Sequence, residues 1–222
     1  MFSNSNTEFL TYTQPVVKKV FPTMGLTKGG TPLELSGAWF DQQLEFDLIP
    51  YCKIGPKVVR AQFISTVRIV CMTPPNDDIM QPQKIYVSLN GANWVDTGFL
   101  FSYYVQPELI KMDPHYGPMQ GGTEIMITGT AFSNITDHEL VKCKFTLIDN
   151  KRNAPPKYIP ARYVDRKTMM CASPPGFFGG ESVNLQMTFN GLDYSEVSEK
   201  FVYNFYTILG SFPHSGPADA FD

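Results

Sequence analysis

Four cysteines are the residues whose type and spacing could do chemistry: Cys52, Cys71, Cys143 and Cys171. Two fall early in the chain and two fall late, so each half contains one pair. Such cysteines can form disulfides, stay as buried free thiols, or bind zinc. A zinc site is disfavoured because the sequence has no Cys-x-x-Cys pair.

Pairing within each half is the most economical of the three possible connectivities, because each unit must fold around its own core. We therefore predict the disulfides Cys52–Cys71 and Cys143–Cys171. Each bond would stabilise its unit by roughly 3 kcal/mol through loop closure in the unfolded chain. The alternative is four buried free thiols in a protein of a reducing compartment.

The other residues with catalytic side chains do not form a catalytic pattern. His115 and His214 occupy the same place in two Pro-His-x-Gly segments, which is typical of a turn, and His138 lies in a polar loop. No nucleophile with an orienting partner accompanies them. Asp77 and Asp78 lack the further spaced oxygen ligands of a calcium loop. We predict no catalytic, cofactor-binding or metal site, and hence not an enzyme.

One modification signal is present. The triplet Asn134-Ile135-Thr136 is an N-glycosylation acceptor sequence. It follows the expected end of a strand at Phe132, in a polar stretch, so we expect Asn134 to be exposed and to carry a glycan. Together with the paired cysteines, this signal favours the exterior of the cell.

The sequence segments that must position these residues occur twice in the chain. The stretch KVFPTMGLTKGGTPLELSGAWF near the start returns as KMDPHYGPMQGGTEIMITGTAF from residue 111. The stretches IVCMTPP and VSLNGANW return as MMCASPP and MTFNGLDY. A fixed period of this length indicates duplicated structural units.

The repeat predicts two domains, at residues 15–106 and 107–206. Residues 1–14 match the closing strand of a preceding unit or an N-terminal extension. Residues 207–222 match the start of a third unit or a C-terminal extension. We therefore expect partial units at both ends and a chain that is a window from a longer repeat protein.

Each unit has the pattern of an all-β domain. Short segments rich in β-branched and aromatic residues alternate with Gly and Pro, and Leu33 and Leu35 fall on one face of such a segment. Asn90-Gly91 is expected to form a type I′ hairpin turn. No helix longer than two turns is expected. The first unit also holds Trp39, which we expect in the core, with a sugar-stacking surface as the alternative.

The ordered motif residues resemble the IPT/TIG family of immunoglobulin-like domains, found in plexins and certain transcription factors. In the first unit these residues are Pro15, Pro22, Gly25, Gly29, Gly30, Thr31, Gly37, Phe40, Cys71, Pro74, Pro75, Asn90, Gly91, Phe101 and Tyr103. The same set recurs from Pro107 to Tyr203. The resemblance implies two tandem immunoglobulin-like (E-set) β-sandwiches, linked end to end.

Composition excludes several classes of protein. Apolar residues make up 43% of the chain and aromatic residues 14%, which suits globular domains and not a disordered chain. The net charge is −3 with scattered Lys and Arg, which argues against nucleic-acid binding. No apolar run approaches the roughly 20 residues that cross a bilayer, so direct membrane insertion of this segment is not expected.

These observations predict a non-enzymatic structural or adhesion module at the cell surface or outside the cell, without a cofactor. Its partners would be proteins: neighbouring repeats of an array or filament, like subunits, or a cell-surface protein. The alternative is an intracellular cytoskeletal or ciliary repeat protein of the filamin kind, with free thiols. A transcription-factor dimerisation domain is a third hypothesis, disfavoured by the absence of a basic recognition loop.

Overall fold

The computed structural model describes residues 12–40, 49–132, 140–196 and 200–205. These residues contain β-strands and no α-helix, which confirms the all-β fold class. Within the described ranges, no helix has the length and apolar character needed to cross a membrane. Backbone contacts divide the chain into two compact units between Gln106 and Pro107, with Asn190–Asp193 grouped with the first unit.

The first unit is built from strands β1 to β8. Their bounds are β1 Val16–Phe21, β2 Met24–Leu26, β3 Pro32–Ala38, β4 Tyr51–Ile54, β5 Lys57–Ser65, β6 Arg68–Met72, β7 Gln83–Ser88 and β8 Val95–Tyr104. The hydrogen-bonded order is β1-β3-β6-β5-β4-β7-β8-β2. All pairs are antiparallel except β2 and β8, which run parallel.

Strand β5 passes from one layer of the first unit to the other. Its first half, Lys57–Arg60, pairs with β4, and its second half, from Ala61, pairs with β6. At the change of partner, the Ala61 amide donates to the Pro50 carbonyl at 2.8 Å. The continuous sheet therefore folds over a common core, as in an immunoglobulin-like sandwich.

The alternation predicted from the sequence places the core. Leu33 and Leu35 on β3 are fully buried, and so are their counterparts Ile125 and Ile127. The core of the first unit also contains Cys52, Ile54, Ile69, Cys71, Ile85, Val87 and Phe101. Burial of alternate residues on facing strands is the expected source of the unit's hydrophobic stabilisation.

The second unit is built from strands β9 to β17. Their bounds are β9 Glu108–Asp113, β10 Tyr116–Pro118, β11 Glu124–Thr130, β12 Lys142–Leu147, β13 Lys157–Pro160, β14 Arg162–Asp165, β15 Thr168–Ala172, β16 Ser182–Thr188 and β17 Lys200–Asn204. They form a five-stranded sheet in the order β10-β17-β16-β12-β13 and a four-stranded sheet in the order β14-β15-β11-β9.

Strands β13 and β14 are the two halves of one sheet-changing strand, and the first half ends at a proline. β13 ends at Pro160 and pairs with β12, whereas β14 begins at Arg162 and pairs with β15. The Ala161 amide donates to the Val141 carbonyl at 3.0 Å, and this bond corresponds to the one from Ala61 to Pro50 in the first unit. Because proline has no backbone N–H, it interrupts the ladder at a position where the first unit carries arginine.

The loop after β7 corrects one turn prediction. Gly91 has a positive φ of 73°, but Asn90 does not, so a type I′ turn is not formed. Instead, the Asn90 side-chain Oδ1 accepts from the amides of Ala92 and Asn93 at 3.0 and 2.9 Å. Asn90-Gly91 does lie at the tip of the antiparallel β7–β8 hairpin, as expected. The predicted type I′ turn is wrong, because the Asn90 side chain closes a wider turn.

Trp39 is a second correction, because the side chain is 49% exposed rather than part of the core. The residue has a positive φ of 60°, and the equivalent Ala131 has 59°. The next residue, Phe40, is fully buried, and its amide donates to the Thr66 carbonyl at 3.0 Å. The left-handed turn at position 39 thus leaves Phe40 as the core residue.

Candidate interaction surfaces

The repeated Gly-Gly-Thr segments pack against the repeated Pro pairs. Gly29 and Gly30 have φ values of 74° and 81°, and the Gly30 amide donates to the Thr73 carbonyl at 2.8 Å. A Cβ on Gly29 would lie 2.6 Å from the Thr73 oxygen and from the Pro75 nitrogen. Glycine is therefore required for this close backbone approach, and the motif serves the fold.

The closing Phe-x-Tyr motif completes the same junction. The Tyr103 hydroxyl donates to the Pro74 carbonyl at 2.9 Å, and the Tyr203 hydroxyl donates to Pro174 at 2.8 Å. Burial raises the pKa of Tyr103 to about 12 and also raises that of Tyr203. Both hydroxyls stay protonated at neutral pH and act as donors, so each tyrosine stabilises the interior of its own unit.

Each unit has a disulfide between its two layers. Cys52 of β4 is bonded to Cys71 of β6, and Cys143 of β12 is bonded to Cys171 of β15. All four side chains are buried. The described residues contain no free cysteine, so these bonds are structural and offer no reactive thiol.

The described ranges hold no group of three His, Cys, Asp or Glu side chains that could bind a metal ion. His115 lies in the turn before β10, and its carbonyl accepts from the Val202 amide at 2.8 Å. His138, His214 and the predicted glycosylation site Asn134 lie outside the described residues.

The outer face of the five-stranded sheet carries a group that the sequence analysis missed, named here the tyrosine–lysine cluster: Lys144, Tyr158 and Tyr194. The two tyrosine rings have centroids 6.5 Å apart, and the Lys144 Nζ lies 4.5 Å from the Tyr194 ring centroid. Tyr158 is 48% exposed. Burial, followed by the neighbouring Tyr158, raises the pKa of Tyr194, so the Tyr194 hydroxyl is neutral at physiological pH.

Strand register brings the cluster together. Lys144 is paired with Tyr158 of β13 on one side and with Gln186 of β16 on the other. The neighbours Cys143 and Phe145 are buried, so Lys144 faces outward. The alternating stretch KCKF carries this signal in the sequence, but the partner strands follow only from the register.

The first unit keeps a simpler form of the same feature. Lys53 lies with its Nζ 5.5 Å from the Tyr86 ring centroid. The position that corresponds to Tyr158 is the exposed Val58, and a nearby ion pair joins Lys84 to Asp96 at 3.4 Å. A lysine over a tyrosine is therefore common to both units, whereas the tyrosine pair belongs to the second.

The longer cysteine loop of the second unit is anchored at its tip. Arg152 donates from Nε and from a terminal nitrogen to the two Glu181 carboxylate oxygens at 3.0 and 2.9 Å. Its guanidinium carbon lies 4.6 Å from the Phe178 ring centroid. The Arg152 hydrogen bond lowers the pKa of Glu181. This bidentate pair fixes the inserted loop beside Phe178, which is exposed.

Comparison with protein families gives a match in each unit. The model of the IPT/TIG domain matches residues 15–103 and again residues 107–203. This result confirms the resemblance drawn from the ordered Gly, Pro, Cys and Tyr motifs. The matched ranges cover nearly all of the described residues.

Similar proteins are much longer than this chain. Plexin-A3 of Rattus norvegicus is 23% identical over 180 residues, covering 80% of the chain and 9% of that protein. Fibrocystin-L of Mus musculus is 30% identical over 123 residues, covering 54% of the chain and 3% of that protein. The solved extracellular region of Plexin A4 shares the fold, with a TM-score of 0.50 and 15% identity over 86% of the chain and 16% of the solved chain.

Proposed function

Because the chain belongs to the IPT/TIG domain family, we propose that it is a non-enzymatic structural or adhesion module of an extracellular multi-domain array. Two consecutive units, each with its own core and its own interlayer disulfide, are the observation that supports this function. Disulfides persist in oxidising compartments and are rare in the cytosol.

The proposed partners are proteins: neighbouring repeats, like subunits, or a cell-surface protein. The chain spans less than a tenth of the length of the plexin relatives described above, so its role in a complete protein is part of this proposal. The proposed domain limits are residues 15–106 and 107–206. Expression of each range alone should give a cooperatively unfolding product if these limits hold.

Compartment is the first test. The full-length protein carrying an epitope tag should react with a membrane-impermeant biotin reagent on intact cells. In isolated native protein, the peptides that hold Cys52–Cys71 and Cys143–Cys171 should together gain the mass of four hydrogens on reduction, because two bonds open. Retention with the cytoskeletal fraction and reduced cysteines would instead support the filamin-like alternative.

Adhesion is tested separately with beads. Beads coated with the purified chain should aggregate with one another or bind cells, and soluble chain should inhibit this binding. Beads coated with reduced and alkylated protein serve as the unfolded control. Native beads that stay dispersed and bind no cells would contradict the adhesion proposal while leaving the extracellular assignment to the first test.

Glycosylation of Asn134 is also proposed, on the basis of the acceptor triplet. Secreted protein should lose mass on treatment with an N-glycan-releasing enzyme, and the Asn134→Gln variant should show the lower mass without treatment. An unmodified Asn134 peptide in all of the secreted material would overturn this point.

A further inference from the structure

The two sheets of the second unit differ in charge. The strands of the five-stranded sheet contain lysines but neither aspartate nor glutamate: Lys142, Lys144, Lys157 and Lys200. The strands of the four-stranded sheet carry an excess of carboxylates: Glu108, Asp113, Glu124 and Asp165, against Lys111 and Arg162. Because the whole chain has a net charge of −3, the lysine set does not follow from a basic composition.

Three of these lysines belong to the outer face. Lys142 and Lys144 alternate with buried residues of β12, and Lys200 is exposed at the start of β17. The fourth, Lys157, is engaged elsewhere, because its Nζ donates to the Pro175 carbonyl and lies over the Phe177 ring. Lys142 and Lys144 lie two residues apart on one strand, a spacing of about 7 Å along the sheet.

Aromatic and amide groups share this face with the lysines. The ring of Tyr158 is half exposed beside Tyr194, and the Lys144 Nζ lies 4.5 Å from the Tyr194 ring centroid. Asn184 and Gln186 are outward-facing, half-buried residues of β16, and the Gln186 Nε2 donates to the Ser195 carbonyl at 2.9 Å. A cation–π contact restricts the conformations of a lysine, which lowers the entropic cost of binding a ligand.

The chemistry of the face differs from that of a protein-binding patch. Protein interfaces have an apolar core with charged residues depleted from it, whereas the outward positions of β12 are Lys142, Lys144 and Thr146. Three carboxylates occur in the sequence between β16 and β17, at Asp193, Glu196 and Glu199, and Glu199 lies outside the described residues. The strands themselves carry no carboxylate, so the charged side chains at the strand positions of this face are lysines.

We propose that the outer face of the five-stranded sheet of the second unit binds a sulfated polysaccharide. An extended polyanion can contact Lys142, Lys144 and Lys200 together, and its binding releases counterions. The exposed face of Tyr158 offers a flat surface on which a sugar ring can stack. This inference goes beyond the proposed scaffold role and does not depend on it.

The test uses the purified 222-residue chain and a heparin decasaccharide at about 0.1 M salt, with affinity measured by calorimetry. The variant Lys144→Gln/Lys200→Gln should lose about tenfold in affinity, because two contacts between lysine and sulfate are removed and fewer counterions are released. The matched control, Lys111→Gln/Lys167→Gln, removes the same charge from the same unit away from this face and should change affinity less than twofold.

Tyr158→Ala tests the aromatic part without changing the charge and should lower affinity about fivefold, which is the lower end of the effect known for a base stacked on an aromatic side chain. Desulfated heparin should not bind. Equal losses in the two lysine double variants, or an unchanged Tyr158→Ala, would overturn the proposal. The proposal would also fail if single-stranded DNA of matched length bound this face as tightly as heparin. The same holds for an acidic protein, such as a second copy of this chain.

Discussion

The Tyr203 hydroxyl donates a 2.8 Å hydrogen bond to the Pro174 carbonyl inside the second unit. Replacing this residue with phenylalanine leaves the buried carbonyl without that donor. The free energy of unfolding of Tyr203→Phe should fall by about 1–3 kcal/mol, the cost of an unsatisfied buried polar group. This change is measured by urea unfolding, with far-ultraviolet circular dichroism as the signal.

A matched control is available in the same unit. Tyr116 is exposed, so Tyr116→Phe removes a hydroxyl of the same kind without burying an unpaired group. Its effect should stay within about 0.5 kcal/mol. Equal effects of the two substitutions would contradict the structural role of the tyrosine–proline bond.

Alkaline pH should destabilise the first unit through Tyr103. Burial raises the pKa of Tyr103 from 10.0 to about 12 in the folded state. The tyrosine therefore contributes its full stabilisation below pH 10, and this contribution is lost as the pH rises toward about 12, because only the unfolded state ionises. The stability difference between wild type and Tyr103→Phe should shrink over this window in urea titrations at successive pH values.

Two adjacent glycines should differ in their tolerance of alanine. Gly121 and Gly122 both have positive φ values, 76° and 83°. A Cβ on Gly121 would meet the backbone around Pro175, whereas one on Gly122 meets nothing within 4 Å. Gly122→Ala should cost about 1 kcal/mol from conformation alone, and Gly121→Ala roughly 1–3 kcal/mol more from overpacking. Thermal unfolding measures the difference, and equal midpoint temperatures for the two variants would contradict this prediction.

The repeat made most of the fold predictable from sequence. Glycine, proline, cysteine and tyrosine positions recur in order, and alternation at Leu33 and Leu35 assigns a buried strand face that the structure confirms. These signals are local in sequence or set by a fixed spacing. The family model match over both units is consistent with their specificity.

Other features depend on relationships that spacing does not contain. Lys144 and Tyr158 meet only because β12 and β13 pair in one register, across an insertion that the first unit lacks. The turn at Asn90 depends on the Asn90 side-chain oxygen, which accepts a hydrogen bond from the Ala92 amide in place of a backbone carbonyl. Residue type alone places Trp39 in the core, whereas the left-handed backbone at this position gives the core site to Phe40.

The exposure of Trp39 leads to a further prediction. Trp39→Gly should leave the free energy of unfolding unchanged or raise it by up to about 1 kcal/mol, because glycine adopts the φ of 60° without strain. Phe40→Ala, one residue later, should lower it by about 3–5 kcal/mol, because a fully buried ring is lost. Denaturant unfolding of both variants tests the assignment, which fails if Trp39→Gly is the more damaging change.

Removal of the interlayer bonds should destabilise both units by similar amounts. The bond Cys143–Cys171 closes a separation of 28 residues, and Cys52–Cys71 closes one of 19. Since loop-closure entropy grows only with the logarithm of loop length, each double alanine variant should lose about 3 kcal/mol, with the second unit slightly more affected. Calorimetry of the two variants measures these losses, and non-reducing mass spectrometry of wild type confirms the starting state. Wild-type protein that reacts with a thiol reagent without reduction, or alanine variants as stable as wild type, would show that the bonds do not support the fold.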